Sequence, residues 1–184
     1  AREIHQTNAP EAAVRSVKEI LADPLVRLAS LTMAIAQVVM VMLMVITSLH
    51  MSHHHHELKS IAAVMSSHVF GMYAFSVVSG RFADRWGRGP LIGTGAMVLV
   101  LACLTATLST DVTPLAFVLF LLGLGWNFCY VGGSTLLSDR LSQAERARIQ
   151  SINDFVLTSL AGTGSALSGL IFSSVGYAVM GYVS

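Results

Sequence analysis

The feature that most limits this chain is a series of five apolar runs, at about residues 24–49, 58–79, 91–108, 114–137 and 149–175. Each comes close to the roughly 20 residues an α-helix needs to cross the hydrocarbon core of a bilayer. Strands of a membrane barrel are about half as long and alternate apolar with polar residues; these runs do neither. Inside hydrocarbon every backbone N–H and C=O must be bonded within the protein, and a helix does this within one segment. Composition matters here in one respect. Charged residues make up 11% of the chain, against about 25% in soluble domains, too few to cover a water-facing surface. The expected fold class is an all-α membrane protein, a polytopic helical bundle. Residues 1–24 form a polar leading segment, and 25–184 form the bundle, with a partial span expected at 176–184.

The charges that remain fall between the runs, and unevenly. Five spans alternate sides. One side then carries Arg2, Arg15, Lys18, Arg27, Arg81, Arg85, Arg88, Arg140, Arg146 and Arg148, and the other carries Lys59 alone. Cytoplasmic loops hold the excess of Lys and Arg. The leading segment and the 80–90 and 138–148 stretches are therefore expected in the cytoplasm, with residues 50–57 and the turn near Asp111 outside. From Pro10, Ala13, Val14, Val17, Ile20 and Leu21 recur at helical spacing among Glu11, Arg15, Lys18 and Glu19. That spacing predicts a short amphipathic helix, lying in the membrane interface or serving as a plain linker. Cys103 and Cys129 both sit inside apolar runs and read as small buried hydrophobes. A net charge of +1 gives no footprint for nucleic acid. No phosphate-cradling loop of the Walker type is present, so nucleotide hydrolysis is not expected, nor is any cofactor or enzymatic constellation.

Polar side chains at membrane depth are costly and mark functional positions. Gln37 lies near the middle of the first run, His68 of the second, and Asn127 of the fourth, with Trp126 and Tyr130 beside it. Gln37 and Asn127 suit hydrogen bonds to a solute or to another helix. Trp126 and Tyr130 suit stacking on an organic solute or plain packing. His68 suits proton transfer near neutral pH, or a neutral bond to a neighbouring helix. Asp154 is the one carboxylate inside a run, about a turn from its start. It reads either as a proton-coupling group or as a first-turn acid favoured by the helix dipole. The third run has no comparable polar group. Glycines at 123, 125, 132 and 133, and the series Ala161, Ser165, Gly169 and Ser173, predict close helix approach.

Between the first two runs stand His50, Met51, Ser52 and then His53, His54, His55 and His56. Four adjacent histidines are a candidate metal site. Met40, Met42 and Met44 precede them, but helical geometry splits these three between faces, which favours adaptable packing. Metal handling through this run is one alternative function; a non-transporting membrane scaffold or sensor is another.

The 80–90 stretch is the most specific. Gly80, Asp84, Arg85, Gly87, Arg88 and Pro90 have the spacing GxxxDRxGRxP, which resembles the loop signature of the major facilitator superfamily. Trp86 and Gly89 depart from it, where an aromatic Phe or Tyr and a basic residue are usual. The resemblance implies half of a twelve-helix secondary transporter. The polar leading segment, the absence of N-terminal-half motifs in the fourth and fifth runs, and the Arg146-x-Arg148 link make it similar to the C-terminal half, helices 7 to 12 with the last truncated. The other six helices would lie outside this chain. It further implies a gating contact in which Asp84 meets a helix N-terminus of the other half. A small organic solute would move by alternating access around a site near the bilayer midplane, bounded here by Gln37, His68, Trp126, Asn127 and Tyr130. Protons are the expected coupling ion, through His68 or Asp154, with export of a drug-like solute the preferred direction. Membrane lipid is an expected partner of Arg81, Arg85 and Arg88, which also have Asp139 and Glu145 as prospective ion-pair partners.

Overall fold

The computed structural model describes residues 15–106 and 108–183, with side chains through residue 170. Seven helices follow in order: α1 (Val17–Ile20), α2 (Pro24–His53), α3 (Leu58–Tyr73), α4 (Ser76–Trp86), α5 (Arg88–Thr105), α6 (Val112–Arg140) and α7 (Gln143–Val183). Four stretches among the described residues are long and apolar enough to span a bilayer: α2, α3 with α4, α5 and α6. No strand occurs among the described residues.

The helix starts are written locally. Ser16 and Glu19 form a reciprocal capping box at α1. Asp23 accepts from Leu25 N at 2.8 Å ahead of Pro24, which needs no N–H at the first helical position. At the head of α7, Ser142 N donates to Glu145 Oε2 at 2.9 Å and Glu145 N donates to Ser142 Oγ at 3.4 Å.

The core forms around α6, which packs against α2, α3, α4 and α5. Leu115, Leu119, Leu122, Trp126 and Cys129 of α6 meet Ala36, Met40 and Val41 of α2, Val64 of α3, and Leu99 and Ala102 of α5. The glycines let backbones approach. A Cβ on Gly123 would lie 2.3 Å from His68 O, and one on Gly71 would lie 2.3 Å from Phe120 O, so α3 and α6 touch main chain to main chain. α7 lies against α2. Of its small residues, Ala161 packs against the core and a Cβ on Gly164 would lie 3.9 Å from Val41 and 4.0 Å from Met42 of α2, whereas Gly162 and Gly169 meet nothing within 4 Å.

Three boundaries differ from the sequence reading. The second run is two helices, broken at Ala74 and Phe75. The 80–90 stretch is not a loop: α4 continues through Gly80, Asp84 and Arg85 to Trp86, and one residue joins it to α5. That residue is Gly87, at φ +96°, a backbone conformation that favours glycine. The fifth run and residues 176–183 of the expected partial span lie on one helix, with no break near Val175.

The leading segment also differs. Residues 1–14 of the expected amphipathic helix lie outside the described residues. The rest is a single turn whose apolar side faces protein: Ile20, 0% exposed, packs with Val26, Ala29, Leu137, Leu141 and Ile149.

Candidate functional site

α6 divides the candidate residues between two faces. One face holds Trp126 and Tyr130, a turn apart, with rings stacked at 4.9 Å and 16°. Trp126 Nε1 donates to Gln37 Oε1 of α2 at 2.8 Å. Trp126 is itself buried in the core, so it backs Tyr130 and fixes Gln37 rather than offering its own ring to a solute. The Tyr130 hydroxyl lies within interaction range of Gln150 and Asp154 on α7 and Tyr73 on α3. Gln150 Nε2 donates to Asp154 Oδ1 at 3.0 Å across one helical turn. Asp154 and Tyr73 are exposed. This face therefore presents two phenols, two amides and one carboxylate on an open side of the bundle. Gln150 had a signal in the sequence: it stands four residues before Asp154, on the same side of a helix.

The other face of α6 holds Asn127, 2% exposed. Asn127 Nδ2 donates to Met72 O at 2.7 Å and to Ser76 Oγ at 2.9 Å, and its Oδ1 accepts from Ser79 Oγ. All of its polar atoms are thus engaged at the α3–α4 break. His68, 1% exposed, lies on this side too. Its Nδ1 donates to Leu119 O at 3.1 Å, and its Nε2 is buried without a partner. Ser67 Oγ adds a bond to Ala116 O at 2.8 Å. His68 and Asn127 hold α3 and α4 to α6; the structure does not bring them to the face of Tyr130 and Asp154.

The charged ends of the helices gather at one end of the bundle. Arg88 bridges Asp139 at 2.9 Å, reaches Asp84 at 3.4 Å, and donates to Ala83 O at 2.9 Å. Gly80 has open space around it, and Asp84 and Arg85 are exposed. Glu145 is taken by a different arginine than the 80–90 stretch offers. Arg15 donates to it from N, Nε and Nη2 at 3.1, 2.8 and 3.0 Å, and Nη2 also bonds Arg140 O at 3.0 Å. The Arg15 guanidinium, with the Ser142 amide, holds the Glu145 carboxyl well below the usual carboxylate range; Glu145 in turn raises Arg15. Glu19, hydrogen-bonded by Ser16, is also lowered.

At the opposite end the histidine run lies along a helix end and the turn after it. His53 ends α2, His54 follows it, His55 sits at φ +58°, and His56 Nε2 donates to Thr110 O at 3.0 Å. No three His, Cys, Asp or Glu side chains come together to hold a metal among the described residues. The rings of His50 and His54 lie 4.4 Å apart and those of His53 and His54 6.2 Å apart, while His56 is turned to Thr110, so His53, His54, His55 and His56 do not share one position.

The sequence profile of the Major Facilitator Superfamily matches residues 28–184. This chain belongs to that superfamily. It is an integral membrane protein of a transporter family, as the apolar helices require. Among superfamily relatives, the MFS-type transporter YdeG of Bacillus subtilis is 35% identical over 153 residues, 82% of this chain and 36% of its own length. The riboflavin transporter RfnT of Brucella anthropi is 26% identical over 180 residues, 98% of this chain and 44% of its own. The multidrug resistance protein MdtL of Escherichia coli is 34% identical over 87 residues, 47% of this chain and 22% of its own. The chain thus spans less than half the length of these superfamily relatives. No solved structure matches it.

Proposed function

We propose that this chain is the C-terminal half of a secondary transporter that moves a small organic solute by alternating access, driven by protons. The observation that carries the reading is the open face where Tyr130, Gln150 and Asp154 stand together beside the Trp126–Gln37 pair. Amides and a phenol bind a polar organic solute by exchanging hydrogen bonds. A carboxylate there takes up and releases the coupling proton. Asp154 is the carrier in this reading. His68 is a packing residue, since its ring is closed off between α3 and α6. The arginine-rich end faces the cytoplasm of a plasma membrane, where Arg81 and Arg85 meet lipid phosphates, and Asp84 meets the other six helices. The names of the relatives support solutes of riboflavin or drug-like size; efflux is the direction we favour.

The test does not need a known substrate. Membrane vesicles containing the natural protein are given a pH gradient, and solutes are screened for collapse of it, starting with riboflavin and planar cationic dyes. At least one solute should dissipate the gradient, and Asp154→Asn should stop this. A panel in which no solute draws on the gradient points to the scaffold or sensor reading instead.

A further inference from the structure

We propose that α4 is a lever, jointed at both ends and pinned to α6 by Asn127, so that Asn127 sets the position of the Gly80–Asp84–Arg85 segment. The break at Ala74 and Phe75 has no proline or glycine to cause it. In an unbroken helix Met72 O would accept from Ser76 N. Here it accepts from Asn127 Nδ2 at 2.7 Å, so a side chain from another helix has entered the ladder. The one Ser79 hydroxyl proton is shared between Asn127 Oδ1 and Phe75 O, the latter 2.9 Å from Oγ, closing the far side of the joint. One side chain of α6 thus satisfies groups on both sides of the break.

The second joint is Gly87, the one residue between α4 and α5. Between the two joints, the apolar hold of α4 on α6 is narrow: Phe82 stacks on Phe128, with ring centroids 6.4 Å apart. Only Ser79 and Ala83 are buried on α4, while Val77, Val78 and Trp86 are 65%, 53% and 63% exposed. At the first joint the Phe75 ring clusters with Phe70 of α3 and Phe120 of α6, with ring centroids 6.2 and 5.8 Å away, an apolar contact with no bond direction to fix it. α3, by contrast, is locked to α6 by the Gly71 and Gly123 approach. The two halves of one span are therefore held unequally. Beside the Phe82–Phe128 stack, the polar pin is what bonds α4 to α6 among the described residues, and inside hydrocarbon its groups have no solvent to turn to when it opens.

The experiment uses spin-label distances in the natural protein in lipid, with Cys103 and Cys129 replaced by alanine. One pair joins α4 to α2, Arg81→Cys with Ile35→Cys. A control pair joins α3 to α2, Val69→Cys with Ile35→Cys. Asn127→Ala should shift and broaden the α4 distances and leave the α3 distances unchanged. Ser79→Ala, the milder change, should do the same in smaller degree and decides the matter where Asn127→Ala does not assemble. Unchanged α4 distances in the assembled variants, or equal movement of α3, would overturn the pin. The consequence for transport rests on the function proposed above: turnover should fall several-fold in Asn127→Ala at an unchanged half-saturating solute concentration. The distances are read without solute, so a failure of the transport reading leaves the pin separately decided.

Discussion

His68 and Asp154 are both polar residues placed at membrane depth by the sequence, and their surroundings separate them. His68 fills a closed space at the α3–α6 contact and donates to Leu119 O. Asp154 stands on an exposed face, where Gln150 of its own helix turn donates to it. Truncating a buried side chain leaves a cavity, and here also removes the second donor to the Leu119 carbonyl. His68→Ala should therefore lower stability by about 2–3 kcal/mol, within the range for large-to-small core changes, read as a fall in the melting temperature in detergent. Asp154→Asn should change stability by no more than about 0.5 kcal/mol, as for surface positions, while gradient-driven flux is lost. The opposite pattern, flux lost in a stable His68→Gln and kept in Asp154→Asn, would reverse the two roles.

Among the elements, α6 is the one on which the others depend, and its glycines explain how. The fourth run shows glycines at 123, 125, 132 and 133, and close approach was legible from them. Which helix each one meets was not, because that depends on rotation about the α6 axis. Gly123 faces α3, Gly125 and Gly132 face α5, and Gly133 faces α2. Gly123→Ala pushes a methyl against the His68 carbonyl and should cost about 1–3 kcal/mol by overpacking. Gly162→Ala meets open space and should be neutral or stabilising by up to about 1 kcal/mol, through helix propensity. Thermal unfolding of the two variants side by side measures the contrast. The break between α3 and α4 was illegible for a related reason. Its cause is Asn127, more than fifty residues away from Ala74, and no local residue signals it.

For the molecule as a whole, the contacts between distant segments sort the connections into two ends. Arg15 with Glu145, and Arg88 with Asp139, bring the leading segment, the α4–α5 joint and the α6–α7 joint together. His56 with Thr110 joins the turns at the other end. This is the same partition that the uneven count of Arg and Lys made. The Arg15–Glu145 clamp has a defined pH window. The folded carboxyl is lowered, so its stabilisation is fully present above the ordinary Glu value of about 4.3 and is lost as pH falls through the folded value. A fluorescent probe at Leu21→Cys should report a docked segment unchanged from pH 8 to 5, with release only in stronger acid. Glu145→Gln should release it at neutral pH, and Arg15→Ala should do so while leaving the first turn of α7 capped by Ser142.

The sequence by itself determined the membrane-spanning helical class, the sorting of charge to one end, and the resemblance carried by Gly80 to Pro90. These are properties of composition, run length and local spacing, and they survive any arrangement of the helices. Only the tertiary structure decided what each polar side chain faces. Trp126 and Asn127 are neighbours in the chain, yet a rotation of about 100° per residue sends one to Gln37 and the other into the broken span. It also decided that Glu145 belongs to Arg15 and that Gly87 alone forms the joint after α4. Such pairings depend on helix rotation and register, which are set by packing between segments far apart in sequence.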